Sequence, residues 1–405
     1  MKKIAVLICL LYTFLTVSCS RSMSVVSINQ KELFRLNWGN FEDELNLFNL
    51  SESGPVNTYF TMRDGFFYIA NGESKKILEL NSYGDLLSLY YNPEVTHTAS
   101  FAPSAEVRST KKAVAYQFNT LGPVCVDSRR WIYAVDTFPP EIQETDSENG
   151  EPLLLSNVVL RFDTQGNFVD YIGQQGPGGA PFPHIKSIYT TQNNELVVVC
   201  MSNEGFVVYW YNTSGFQMYK IPVSTKNVPS LPDRKDDDPE LYLSVENIIP
   251  DSVDKKLYLK VDYSEVYLDP DVKLQSGMVY LKTILYPLSA ETGRYEGGIE
   301  IPGYEETETS SLGSQLHNIP FEFLGVTDNG WFFFVVPVEK GLLVQMVQPN
   351  GQRFIKRLFE MDHNQILYYS MFPSGNGIVS ALFAEREYAR VVLWRTDSLI
   401  NSILD

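Results

Sequence analysis

The chain has 405 residues, 44% of them hydrophobic, with 24 tyrosines, 24 phenylalanines and a formal charge of −17 at pH 7. That acidic balance disfavours a nucleic-acid partner, whose footprint is a basic patch. Abundant aromatic and β-branched residues, with little helical periodicity, predict an all-β protein.

The chain opens with Lys2 and Lys3 before an apolar stretch over residues 4–17. A bilayer span takes about 20 residues, so this shorter run reads as an export leader. The segment Leu15-Thr16-Val17-Ser18-Cys19 resembles a bacterial lipobox: a small residue stands directly before Cys19, although Thr16 replaces the usual leucine. The expectation is a leader over 1–18, a lipid on Cys19, a serine-containing tether over 19–30 and a single domain over 31–405. Val25, Val26 and Ile28 already have the character of residues that dock on that domain. Such a protein sits in the cell envelope, at the periplasmic face or on the outer surface. Ordinary cleavage after a small residue, giving an unanchored protein, is the other reading of the same residues. No second membrane element is expected, because the longest later apolar run, 331–338, has the length of a strand.

Without the leader, 30 basic side chains face 49 acidic ones, a formal charge of −19. Clusters such as Glu141, Glu144, Asp146, Glu148 and Glu151 read as solvated loops. Cys9 leaves with the leader and Cys19 takes the lipid, so Cys125 and Cys200 remain, too few for a disulfide framework. Both lie in apolar runs where cysteine acts as a small hydrophobe; a bridge between them is the alternative.

The clearest module is Thr58-Tyr59-Phe60-Thr61-Met62, then Asp64-Gly65, Phe66-Phe67-Tyr68-Ile69-Ala70-Asn71 and Ile77-Leu78-Glu79-Leu80. The turn Asn81-Ser82-Tyr83-Gly84 follows, and then 86–90. This is a four-stranded meander, one propeller blade. The grammar recurs around Asp163-Thr164-Gln165-Gly166, Asn212-Thr213-Ser214-Gly215 and Gln348-Pro349-Asn350-Gly351, and one residue longer before Gly293. A last set, 366–369, 378–382 and 390–394, has three strands only. Either 34–38 or 45–48 is the spare strand that completes it. The prediction is therefore a six-bladed β-propeller closed by an N-terminal strand joining the last blade. The extra stretch 101–118 is read either as an insertion or as part of a further blade.

Blade two, through Trp131-Ile132-Tyr133-Ala134-Val135-Asp136, Val159-Leu160-Arg161-Phe162, Ile172-Gly173-Gln174-Gln175-Gly176 and Phe182-Pro183, resembles the NHL repeat. The resemblance fades after blade two and is interrupted by an acidic loop over 138–156. As a whole the chain resembles NHL-type lipoproteins of diderm bacteria, which implies location and fold but no particular activity.

Chemical motifs are sparse. The glycines 173, 176, 178 and 179 are broken by Pro177, Pro181 and Pro183 and lead into a strand, so they make an inter-blade connection and no phosphate loop. The histidines His97, His184, His317 and His363 lack partners at metal-ligand spacing, and no Gly-x-Ser-x-Gly elbow occurs. No cofactor is expected, with a calcium ion in the channel left open. His184, Glu246, Asn247 and Glu322 are the candidates for the channel mouth, while Asp136 and Asn71 read as caps of their turns. The long insertions 93–120, 138–156, 223–242, 263–277 and 303–320 are the expected recognition elements. They suit a protein, peptide or glycan partner; a metal-assisted, lactonase-like hydrolase in the channel is the alternative.

Overall fold

The computed structural model describes residues 25–47, 56–96, 100–101, 110–148, 150–231, 234, 238–268, 275–310 and 313–404; the leader, Cys19 and His97 lie outside them. The described strands gather into six antiparallel meanders, and the chain is a six-bladed β-propeller. Blade one is Thr58–Arg63, Phe66–Asn71, Lys76–Leu80 and Leu86–Tyr91, and blade two is Val124–Val126, Ile132–Thr137, Asn157–Phe162 and Phe168–Gly173. Blade three is Ile185–Thr190, Leu196–Ser202, Gly205–Tyr211 and Gln217–Ser224; blade four is Leu241–Pro250, Lys256–Leu268, Gln275–Ser289 and Ile299–Ile301. Blade five is Glu322–Val326, Phe332–Val338, Gly341–Val347 and Phe354–Glu360. Blade six takes Tyr368–Pro373, Val379–Ala384 and Tyr388–Trp394 from the chain's end and Lys31–Asn37 from its beginning, with Arg35 opposite Arg390.

Of the two N-terminal segments weighed for closure, the one containing Phe34 and Leu36 forms the strand. Leu45 is buried beyond it, beside Trp38, whose indole N–H donates to the Glu385 carbonyl at 3.1 Å. The stretch after residue 101 makes no seventh blade. Its strand Lys112–Ala115 runs parallel along the outer edge of blade one. Val26–Ile28 does the same on blade five, so residues inside the expected tether already belong to a sheet. A short C-terminal helix, Asp397–Leu404, buries Ile400 against blades five and six.

The repeated turn has one physical basis. Asn81 Oδ1 accepts the Tyr83 and Asp85 amides at 2.8 and 3.0 Å, and Gly84 takes φ +85°, which a Cβ would strain. Asp163 holds the Gln165 and Asn167 amides in the same way, and Asn212 those of Ser214 and Phe216.

Six hydrophobic clusters fill the six boundaries between neighbouring blades. At the closure Phe34 and Leu36 pack with Phe60, Phe67 and Ile69 of blade one and Leu382 and Val391 of blade six. Phe34 meets Phe67 edge to face at 5.6 Å, and Phe359 of blade five stacks on Trp394 of blade six at 4.4 Å. Each such side chain contributes about 1.5–3 kcal/mol on burial.

Asn71 and Asp136, expected to cap their own turns, are buried at the end of the second strand of their blades and bond chiefly to other segments of the chain. Asn71 Nδ2 donates to the Asn46 carbonyl at 2.6 Å, pinning the closing segment. Asp136 accepts the amides of Asn119, Thr120 and Thr137. Burial nonetheless outweighs those donors and lifts its pKa to about 6.

Leu36→Ala should cost about 2–5 kcal/mol, read as a lower urea midpoint with closure lost first. Asp136 binds its proton more tightly folded than unfolded, so its contribution to stability falls as pH rises from 3.8 to about 6 and is level above. Urea midpoints of Asp136→Asn across that interval should therefore slope less than those of the natural chain.

Candidate functional site

In each blade the first strand lines the axis, and strand direction alternates outward from it. Connections from second to third strand, and from the outer strand to the next inner strand, therefore all emerge at the end where inner strands begin. All five long insertions are of these two kinds. They include the hairpins Glu144–Glu148 with Glu151–Leu155 and Tyr304–Ser310 with Gly313–Ile319. They also include the overlong second and third strands of blade four, Lys256–Leu268 and Gln275–Ser289. This end is termed the insertion face; the other, closed by tight turns, is the turn face.

Two β-bulges shape the channel mouth on the insertion face. The pairing of the blade-three inner strand slips between Ile185 and Ser187, and that of blade four between Val245 and Asn247. A bulge re-aims the extra residue, here Lys186 and Glu246. Lys186 Nζ donates to the Glu246 carbonyl at 2.5 Å and lies 5.1 Å from the Phe206 ring centre. The Glu246 carboxylate accepts the Ser244 hydroxyl at 2.5 Å and is exposed. Glu322 starts the blade-five inner strand.

These charges sense one another. Burial raises the Glu322 pKa although solvent reaches the residue, and Lys260 and Lys186 partly offset the rise. Burial lowers that of Lys186, with Glu246 and Glu322 opposing. Tyr369 of blade six is raised by burial and then by Glu322. Lys260 itself is buried and ion-paired with Asp262, whose other oxygen accepts the Thr283 hydroxyl at 2.5 Å.

Of the four expected mouth residues, the structure brings Glu246 and Glu322 into this cluster. Asn247 is committed to the backbone: its amide donates to the Phe323 carbonyl and its oxygen accepts the Ile248 amide, both at 3.0 Å. His184 is exposed just before the blade-three inner strand, where its carbonyl accepts the Met201 amide. Sequence reasoning missed Lys186, Lys260 and Tyr369. A signal for the first existed: Ile185-Lys186-Ser187-Ile188 and Val245-Glu246-Asn247-Ile248 both break strict alternation with a polar pair, as a bulge does.

Below the mouth lies a cavity of about 330 Å³ touched by all six inner strands, with Tyr59, Arg63, Cys125, Tyr189, Ser252 and Phe372 in its wall. Ser252 Oγ is buried there without a hydrogen-bond partner, and Arg63 Nε faces the Asp64 carboxylate at 3.7 Å. Burial pushes the Tyr189 phenol up to about 12. Cys125 and Cys200 are both buried and unbridged, and burial raises both thiols well above their ordinary value. Among the described residues no three His, Cys, Asp or Glu side chains converge as metal ligands do. No helix among them is long and apolar enough to cross a membrane.

Fold and site together define a closed six-bladed propeller with a polar mouth over a central cavity. No protein-family model matches the chain, and no curated protein matches it in sequence. Solved structures resemble it in fold. A gluconolactonase from Xanthomonas campestris is 7% identical, with 91% of this chain and 97% of that one covered and a TM-score of 0.41. The polysaccharide lyase Uly1 is 7% identical, covering 91% and 99%, with a TM-score of 0.42. The calcium-binding protein regucalcin from Agrobacterium tumefaciens strain C58 is 10% identical, covering 92% and 95%, with a TM-score of 0.37. At this distance the likeness concerns architecture alone.

Lys186→Met removes one cation that holds Glu322 down. The Glu322 carboxyl should then titrate at higher pH, as followed by its carboxyl carbon in NMR; an unchanged midpoint would show that the two do not share the mouth.

Proposed function

We propose that the chain is a lipid-anchored, NHL-type propeller of the cell envelope whose insertion face is a binding or scaffold surface for a protein, peptide or glycan. The observation that carries this reading is the segregation of all five insertions to one face, around the mouth formed by Lys186, Glu246 and Glu322. Long loops on a rigid ring are where recognition is grafted, because they can vary without disturbing the core. Acidic side chains exposed on both hairpins, Glu144, Asp146, Glu151, Glu305 and Glu306, disfavour nucleic acid and suit a neutral or basic partner. The anchor rests on the lipobox-like segment ending at Cys19, and acyl chains there would suffice for stable attachment.

A second reading, a metal-assisted hydrolase, draws on the two carboxylates Glu246 and Glu322 at the mouth. Calorimetric titration with calcium separates the two: heat of binding that disappears in Glu322→Gln would favour the hydrolase.

Cells fed an alkyne fatty acid should label the natural protein and leave Cys19→Ala unlabelled and released from membranes. Replacing 144–155 and 304–319 each by a short turn should leave the circular dichroism and thermal midpoint unchanged while abolishing partner recovery in membrane pull-downs. Undiminished recovery from that variant would remove the insertion face as the binding surface.

A further inference from the structure

The chain before Val26 can leave the ring in one direction only. Val26–Ile28 runs parallel to the outer strand of blade five, with Val26 abreast of Arg357. Val25 therefore lies toward the Phe354 end of that strand, where the turn Gln348-Pro349-Asn350-Gly351 closes the turn face. Cys19 stands six residues before Val25. A chain of that length spans at most about 20 Å when fully extended, which is less than the width of the propeller domain it would have to round.

The same face carries exposed apolar side chains at equivalent places in successive blades. Tyr83, Phe168, Phe216 and Phe354 lie in or directly after the turn from third to outer strand of blades one, two, three and five, and are 82, 43, 60 and 38% exposed. Val253, in the first turn of blade four, and Val25 and Val26 beside Phe354 extend the set. A single exposed aromatic needs no explanation. That four of the six blades carry one within a few residues of the turn from third to outer strand, on the face toward which Val25 lies, does. Tyrosine favours the boundary between water and lipid, and phenylalanine dips just beneath it, as on the apolar face of interfacial helices.

We infer that the rim of the turn face rests on a lipid bilayer, with Tyr83, Phe168, Phe216 and Phe354 at the headgroup level, and that the insertion face and channel mouth are thereby presented away from the membrane. This rests on the anchored reading of Cys19 and adds an orientation to it. The opposite face exposes apolar side chains too, among them Phe41, Ile142, Leu154, Tyr242, Tyr267 and Met278, but they lie on separate insertions and not at one repeated turn, and they stay in water in this arrangement.

Hydrogen exchange read by mass spectrometry tests the orientation on the whole protein. The lipidated chain reconstituted in phosphatidylethanolamine–phosphatidylglycerol vesicles is compared with the Cys19→Ala chain free in solution. Amides in 81–85, 163–168, 212–216 and 348–354 should exchange severalfold more slowly on vesicles, while those of 144–155 and 241–246 keep their rates. A Tyr83→Ser, Phe216→Ser double variant, both positions being exposed turns, should fold normally and lose most of that protection. Protection of the insertion face instead, or of neither face on protein that floats with the vesicles, overturns the inference. Flotation and the mass of the N-terminal peptide report the anchor separately. Should the native chain carry no lipid, the anchored reading falls by itself; coupling Cys19 of a leaderless chain to a maleimide lipid then supplies the tether, and the same exchange pattern decides whether the turn face docks.

Discussion

Everything in this molecule depends on the burial of each blade's two faces against its neighbours. A four-stranded meander of six-residue strands has apolar side chains on both faces, and alone it would leave both to water. Only a ring removes every exposed face at once, which is why six clusters occupy six boundaries and why no cluster lies inside a single blade. The first and last blades differ from the rest in having a covalent end to join, and the joint is made by ordinary packing: Phe34 and Leu36 enter the cluster that Phe67 and Leu382 share. Hydrogen bonds fix the register around it, including the Tyr368 hydroxyl donating to the Thr58 carbonyl at 2.5 Å between the inner strands of blades six and one.

The parts of the fold legible in the sequence are those with a local cause. An Asn or Asp that bonds the amides two and four residues on, followed by a glycine at positive φ, leaves its mark whatever surrounds it, and so the turns after Asn81, Asp163 and Asn212 were readable. What stayed hidden has a tertiary cause. The docking of Val26 and Ile28 was readable from their apolar character, but that Val26–Ile28 and Lys112–Ala115, three and four residues long, are strands follows only from the outer edges beside them. The helix Asp397–Leu404 is too short to hold by propensity alone and depends on Ile400 finding a cluster. At the mouth, Glu246 and Glu322 were named from their place at the start of inner strands. Lys186 was legible only as a break in strand alternation, and Lys260 not at all, because the nearness of either to the Glu322 carboxylate of another blade is a fact of three dimensions.

The distribution of insertions separates what the ring needs from what it displays. Tight turns serve the face where a strand must reverse at once, and their residues are used up in that reversal, as Asp251 is in accepting the Val253 and Asp254 amides. The opposite face has no such constraint, so chain accumulates there: two hairpins, and a blade four whose middle strands run to 13 and 15 residues where others have five to seven. Glu148 of one hairpin reaches across to the Asn203 amide of blade three at 2.8 Å, so these additions are held in place and are themselves part of the surface. Nothing in the ring itself prefers one use of that surface over another.

The joint between Lys31–Asn37 and Tyr388–Trp394 also sets the order in which the molecule can be assembled. Lys31–Asn37 leaves the ribosome early and is the last strand of the ring to find its partner, since that partner is made some 350 residues later. Until then Phe34 and Leu36 have only half of their binding site, and blade one has one open flank. A chain emerging residue by residue therefore carries an unsatisfied apolar segment until its last blade is made, which is the kind of segment that escort proteins hold. Cooperativity arrives with the final blade: truncation anywhere near the carboxyl end leaves an open arc, and an open arc has two sticky edges where the finished ring has none.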